Sequence, residues 1–425
     1  MGKARASHSH VVDATILFID LMESVSLSNV LTLTEYNALI NDYQDTLRRI
    51  VEQLKQRYPI GEYYIQGDQL AAFFYAPDAV AKCERMERLR QKNPASPTAA
   101  RLEAELELQK NRCLYGALRC AVQAKNAWTS HPRNVARINA HQPVQDVGVG
   151  INTGNVIQQL RADGQTRIEG FAINLGKRVE GFSRYGTFCK IMLSKTAYET
   201  FRNTIVGHTM LKQRAFFEPY SPHPDLLKGL QAGTRLYELK FFHRLAGFSI
   251  PLEQVQLYAR IFKADPTNFW AYTNLINYHH YEQSNTEIAL EIAHHALYSN
   301  PQNEKVYYDL ANINLIRGEY ETAREYCLLC LELNNEMDIA YDLLAQIEQI
   351  RSGDWDQVLE YRARALALSP GSAEYHLDLA VTFGHLNRLD AAAWHLREAK
   401  KIYPEIRKRW AEHVIPLEKR IKRGN

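Results

Sequence analysis

From Pro251 onward the chain repeats itself, and the repeat leaves little choice of architecture. Pro266, Pro301, Asn335, Pro370 and Pro404 punctuate stretches of helical periodicity at intervals of 35, 34, 35 and 34 residues. Small residues hold register with these marks: Ala289, Ala323 and Ala392 lie twelve positions before one, and Ala296, Ala365 and Ala399 five before. Gly318 and Gly353 fall where the two helices of a unit would turn. Alanines at fixed offsets let paired helices approach closely, and a unit of about 34 residues cannot bury its apolar face alone. Residues 251–425 therefore read as an all-α solenoid.

The period and its alanines resemble the tetratricopeptide repeat, which implies a surface for a peptide or protein ligand and no chemistry of its own. A chain of 425 residues exceeds one ordinary core, so a second domain is expected before the repeats. Hydrophobic content of 46% with 23% charged residues is that of a soluble globular protein, and a formal charge of +3 argues for neither nucleic acid nor an acidic membrane surface. No apolar run approaches the ~18 residues of a membrane span, and the N-terminus lacks the apolar segment of a secretory signal. Met1-Gly2 lacks the further features of a myristoylation site. The six cysteines are scattered, which fits a reducing cytoplasm, the expected location. Cys327 and Cys330 form a CxxC inside a helical segment with no second pair to complete a zinc site, so they read as small core residues.

From Val11 to about Leu239 strand-like runs alternate with helical periods. Strands are expected at 13–20, 62–66, 70–75, 145–151, 188–193 and 234–240, and helices at 33–58, 80–92, 99–129, 171–184 and 195–203. The boundaries are a polar tail at 1–10, an α+β domain at 11–245 with a helical insertion about 79–115, and the repeats at 251–425.

Two stretches carry chemistry. Ile16-Leu17-Phe18-Ile19-Asp20 and Tyr64-Ile65-Gln66-Gly67-Asp68 each read as a buried strand delivering one aspartate to a sheet end, the second through a hairpin tip. Paired carboxylates of this kind suit Mg²⁺ or Mn²⁺ ions handling phosphate oxygens. Later, Asn174-Leu175-Gly176-Lys177-Arg178 sets an amide and a guanidinium four apart on one helix face. Between them, Gly150-Ile151-Asn152-Thr153-Gly154 reads as a strand running into a glycine-bearing turn. Taken singly, either aspartate is as readily a turn residue as a ligand.

Phe18-Ile19-Asp20, Gly67-Asp68, Gly150 to Gly154, Gly170, Asn174 to Arg178, Cys189 to Ser194 and Leu227-Lys228-Gly229 stand in an order and spacing that resemble the class III nucleotidyl cyclase domain. The resemblance runs from about Val11 to Lys240 and implies a ferredoxin-like α+β fold. It implies that Asp20, Asp68 and the Leu21 carbonyl bind two Mg²⁺ or Mn²⁺ ions per site. It also implies that Asn174 orients the ribose, Arg178 neutralises charge on the α-phosphate and Lys228 holds the terminal phosphates. Because the family draws its acids and its Asn/Arg pair from opposite chains, it implies a homodimer with two interfacial sites.

The base-selecting positions depart from the family. Where adenylate cyclases carry lysine and guanylate cyclases glutamate, this chain has Tyr64, and where adenylate cyclases have aspartate or threonine it has Arg167. A tyrosine and an arginine crowd a purine, whereas the two carbonyls of uracil suit an arginine fork. UTP is therefore the expected substrate and cyclic UMP the product, with CTP, and then ATP, as alternatives. The pair resembles the pyrimidine cyclases of the bacterial antiphage systems called Pycsar, which implies a signal to a separate effector. A catalytically silent nucleotide-binding scaffold is the reading from another class. One departure falls beside the acids: Glu23 stands where the family places glycine, with Ser24 and Ser26 read as caps of the next helix.

Overall fold

The computed structural model describes residues 9–142, 144–160, 166–186, 188–202, 215–220, 222, 234–242, 252–403 and 406–424. The chain divides into two compact units, the first drawn from Met1–Phe201 and Phe216–Lys240, the second holding Phe241–Asn425.

The first unit is built on β1 (Ser9–Leu21), α2 (Leu33–Lys55), β2 (Ile60–Gln66), β3 (Gln69–Phe74), α4 (Pro97–Thr129) and β4 (Val147–Leu160). The sheet order β2-β3-β1-β4 with antiparallel neighbours is that of a ferredoxin-like βαββαβ unit. A short α1 (Ser24–Ser28) follows β1, and α3 (Ala79–Lys92) and α5 (Pro132–Asn139) flank α4. Beyond β4 come β5 (Thr166–Glu169), which pairs back on β4, and α6 (Phe171–Phe182). Then β6 (Ile191–Ser194) runs parallel to β4, followed by α7 (Lys195–Arg202), β7 (Ala215–Tyr220) and β8 (Leu236–Phe242), which extend the sheet as β6-β8-β7.

The run Ile16–Ile19 is apolar without alternation because both faces of β1 are covered. Ile16 and Phe18 point to one face, with Phe73, Tyr75 and Val156, where a side chain on Gly176 of α6 would come 3.2 Å from the Phe18 ring. The other face receives α2 and α4, with Tyr43 and Trp128 fully buried and their rings edge to face at 5.1 Å. Glycine is required at Gly150: a Cβ there would lie 2.2 Å from the Glu180 amide nitrogen, so α6 rests directly on β4.

Three local expectations are corrected. The turn expected at Gly154 is absent, because β4 runs unbroken to Leu160 and pairs with β1 throughout. The helix expected to 58 ends at Lys55, and that expected from 171 to 184 ends at Phe182. The region read as an insertion comprises α3 and the outer part of α4, which continues without a break into the half that covers the sheet.

From Leu252 onward the described residues of the second unit form helices joined by turns: α8 (Leu252–Ala264), α9 (Phe269–Ile276) continued by a π-helical segment at Asn277–Glu282, α10 (Thr286–Ser299), α11 (Glu304–Arg317), α12 (Tyr320–Leu333), α13 (Asp338–Arg351), α14 (Trp355–Leu368), α15 (Ala373–His385) and α16 (Leu389–Ile402). Two further helices, α17 (Ile406–Arg409) and α18 (Ala411–Gly424), close the end through Ile406, Val414 and Leu417. The register alanines Ala289, Ala296, Ala323, Ala365, Ala392 and Ala399 are all buried, and Gly318 and Gly353 take φ of +81° and +67° at the inter-helix turns. The Cys327 thiol donates to the Ala340 carbonyl, Cys330 lies against the Met337 sulfur, and burial pushes both thiols up, so neither is a ready nucleophile.

Candidate active site at the end of β1

Two aspartates meet where β1 and the β2–β3 hairpin end. Asp20 is the penultimate residue of β1, opposite Gln69 on one side and Gly148 on the other. Gly67 opens the hairpin tip at φ +58°, a conformation that disfavours a side chain, and Asp68 follows it. The tip is tied down: the Leu21 amide donates to the Asp68 carbonyl at 3.2 Å, and the Gln44 side-chain amide of α2 donates to the Gly67 carbonyl at 2.7 Å. The buried Ser24 hydroxyl donates to the Asp68 carboxylate.

This corrects the expectation for Ser24, which opens α1 but caps nothing. The cap position is Glu23, exposed and held at φ +62°, so the position where glycine was expected does adopt a glycine-like backbone.

Burial, and then the neighbouring Asp68 carboxylate, push the Asp20 carboxyl up to about 6, with Arg184 and Lys177 pulling the other way. A third acid was not legible in the sequence. Glu180 of α6 is buried against Gly148 and Gly150, and burial followed by the Asp20 carboxylate pushes it up to about 8. Tyr43 of α2 is also within electrostatic reach of Asp20 and Asp68, and its buried hydroxyl has no hydrogen-bond partner among the described residues. Behind the loop, the Met22 amide donates to the Asp146 carbonyl at 3.1 Å, and the Asp146 carboxylate pairs with buried Lys125 at 2.5 Å.

The donor set fits hard divalent cations. Two carboxylates compress each other's charge at one sheet end, and Mg²⁺ takes one or two protein carboxylates with substrate phosphates completing its shell. Among the described residues no cluster of three or more His, Cys, Asp or Glu side chains is arranged to hold a metal, so Asp20 and Asp68 stand as a pair.

Asn174 and Arg178 lie on the exposed side of α6, and neither side chain has a hydrogen bond or ion pair with another described residue. Tyr64 reaches the strand that carries Arg167 through the backbone of Thr166. The Tyr64 hydroxyl donates to the Thr166 carbonyl at 3.1 Å, its ring meets Phe73 edge to face, and the next residue, Arg167, pairs with Glu169. Lys228 lies outside the described residues.

Residues 347–405 match the tetratricopeptide repeat family. Among solved structures, the adenylyl cyclase CyaB from P. aeruginosa is 16% identical, covering 56% of this chain and 98% of its own with a TM-score of 0.38. The guanylyl cyclase Cya2 is 19% identical, covering 57% and 99% with a TM-score of 0.37. MamA is 18% identical, covering 37% and 90% with a TM-score of 0.32. No curated protein matches the sequence.

Proposed function

We propose that the α+β unit is a nucleotidyl cyclase that converts UTP to 3′,5′-cyclic UMP and pyrophosphate. The observation that carries this reading is the pairing of Asp20 and Asp68, with Asp20 raised to about 6 by burial and by its neighbour. Two acids held this close at a sheet end are costly without a cation to offset them. Asp20, Asp68 and the Leu21 carbonyl would hold two Mg²⁺ or Mn²⁺ ions. Such ions favour loss of the ribose 3′-hydroxyl proton and neutralise the triphosphate.

The bond that forms joins the ribose O3′ to the α-phosphorus, and the bond that breaks is the one to pyrophosphate. Charge grows on the α-phosphate oxygens, where the Arg178 guanidinium would neutralise it while Asn174 fixes the ribose. Lys228 would hold the terminal phosphates as a point charge. Unpartnered Asn174 and Arg178 on an exposed helix face support donation to a second copy, hence a homodimer with a site at each half of the interface. Exposed Phe171, on the same helix, adds an apolar surface for that contact.

Tyr64 and Arg167 would read the base; the hydrogen bond from Tyr64 to the Thr166 carbonyl, one residue before Arg167, supports this. Uracil offers carbonyls to the Arg167 fork. A specific observation favours CTP as the second reading: Glu169, paired with Arg167, supplies an acceptor for the amino group of cytosine. By its resemblance to pyrimidine cyclases of antiphage systems, the product would act as a signal to a separate effector, with the repeats receiving a protein ligand that sets output.

Incubation of the purified chain with each of the four ribonucleoside triphosphates and Mn²⁺, with products identified by mass, tests this. Cyclic UMP is expected. Turnover of ATP alone would overturn the base assignment, and no turnover of any nucleotide would favour a silent scaffold.

A further inference from the structure

The last helices enclose a space as well as closing the solenoid. Residues of α16, α17 and α18 line a cavity of about 460 Å³. Leu396 and Ile421 give it an apolar side, and both belong to the cluster that joins α16 to α18. One carboxylate ties the three helices together around it. Glu418 of α18 accepts from the Lys400 ammonium of α16 through Oε1 at 2.7 Å, and from Arg407 of α17 through Oε2 at 3.2 Å.

Both Glu418 oxygens are thus engaged, and among the described residues no other acid lines the cavity. Arg397 of α16 and Lys422 of α18 line it too, and neither makes an ion pair or hydrogen bond with another described residue. Lys422 stands four positions after Glu418, a spacing that favours pairing, yet no ion pair joins them. Two described acids close in sequence lie outside the cavity: Glu398 pairs with Lys401 at 3.6 Å, and Glu412 lies 3.7 Å from the His413 ring. Four cations therefore surround one acid, a net charge of +3 over a partly apolar lining. A cleft lined by one sign of charge concentrates counter-ions of the other.

The chemistry of the anion follows from space and charge. Val414 and Leu417 of α18 are buried in the core, so the helix keeps no apolar face to enter a lipid surface. A carboxylate brings one charge on two oxygens. A phosphomonoester brings roughly −1.5 to −2 at neutral pH on three acceptor oxygens, within the same small volume. The cavity itself is of small-ligand size, for which ~300–1,000 Å³ is usual.

We propose that this cavity binds a small organic phosphate, with its phosphomonoester held by Arg397 and Lys422 and its carbon skeleton against Leu396 and Ile421. The Arg397 fork meets two phosphate oxygens at once, and Lys422 acts as a point charge. Lys400 and Arg407, fixed by Glu418, add their field. The site draws on nothing in the α+β unit and stands apart from nucleotide turnover.

The test titrates the full chain with phenyl phosphate by calorimetry, in EDTA so that no cation sits at Asp20 and Asp68. Phenyl sulfate keeps the outline with a single charge, inorganic phosphate lacks the ring, and a Gly-Glu-Gly-Glu-Gly peptide offers carboxylates. Phenyl phosphate should bind about tenfold or more tighter than each of the three. An Arg397→Gln/Lys422→Gln variant should lose about tenfold or more, the usual scale for hydrogen bonds to charged groups. A Lys419→Gln/Arg420→Gln variant removes the same charge from α18 outside the cavity lining and should bind as wild type does; circular dichroism confirms that both variants fold. Absence of phenyl phosphate binding, or equal loss in the two variants, would overturn the proposal. So would equal binding of inorganic phosphate, which reduces the cavity to a patch for any anion, or equal binding of the glutamate peptide, which assigns it to an acidic protein segment.

Discussion

The Leu21 amide donates to the Asp68 carbonyl at 3.2 Å, which stitches the end of β1 to the tip of the β2–β3 hairpin. This bond acts with the β1–β3 ladder and with Gln44 and Ser24 to hold the spacing of the two acids, since Leu21 follows Asp20 directly. Substitutions at either acid can then be read as changes of charge rather than of backbone.

Mn²⁺ should raise the thermal midpoint of the α+β unit by several degrees at pH 7.5, since a saturating ligand at ~100 times its Kd adds about 2.7 kcal/mol. Asp20 retains its proton below about 6, so the gain should largely vanish at pH 5. Asp20→Asn should abolish it at both pH values. Scanning fluorimetry with and without Mn²⁺ reads this directly, and an undiminished shift in the variant would remove Asp20 from the metal site.

Asp20→Asn and Arg178→Ala should each be inactive alone. Mixed after co-refolding, they should recover about a quarter of wild-type turnover, because half of random dimers carry one intact site of two. Absence of recovery, with dimers present by sedimentation, would place both residues in one chain's site.

Glu180 supplies a pH dependence with a definite sign. The folded chain keeps this proton up to about 8, whereas the ordinary value is 4.5, so ionisation opposes folding across that window. Its contribution to stability is full below about 4.5 and is lost as pH rises toward 8. Glu180→Gln imitates the protonated acid and should flatten the decline of the thermal midpoint between pH 5 and pH 8.5. A parallel decline in variant and wild type would mean that Glu180 titrates normally.

Arg167→Asp should lower UTP turnover by ~10-fold or more, because a site built around hydrogen bonds discriminates strongly once its donor is lost. Glu169→Gln separates the two pyrimidines: it should leave UTP turnover within about twofold and depress CTP turnover, if any is present. The ratio of cyclic UMP to cyclic CMP in competition is the measurement.

Gly150→Ala should destabilise the α+β unit by about 1–3 kcal/mol, the usual cost of forcing volume into a packed contact. The added carbon would meet the Glu180 backbone at 2.2 to 2.5 Å, so relief requires α6 to move. Denaturant unfolding would show it, and an unchanged midpoint would mean that α6 is not held against β4.

How much of this was legible in the sequence follows from the range over which each feature is encoded. The run Ile16–Ile19 and the Gly67-Asp68 tip are local, and strand length with turn chemistry sufficed to place them. The same rules misread Gly154, because a glycine inside a long strand looks like a breaker when its partner strand is out of view. The helix at Pro132–Asn139, with His131 capping and Pro132 opening it, carries a local signal in those two residues; β5 is only four residues long and carries almost none. Ser24 bonds to an acid 44 positions away, and Glu180 is buried by strand glycines 30 and 32 residues earlier. Nothing in their own neighbourhoods marks either. A glutamate two positions after an exposed arginine looks like one more solvated helix residue until β4 is laid beneath it.

Helix α4 has a mechanical implication. It is one unbroken rod of 33 residues, roughly 50 Å at ~1.5 Å per residue, shared between the outlying helical pair and the sheet. Near its inner end Lys125 grips Asp146, whose carbonyl in turn steadies Met22, two positions beyond the first acid. Anything that seizes the distal turns therefore holds a stiff lever whose short arm rests on the loop that follows the first acid.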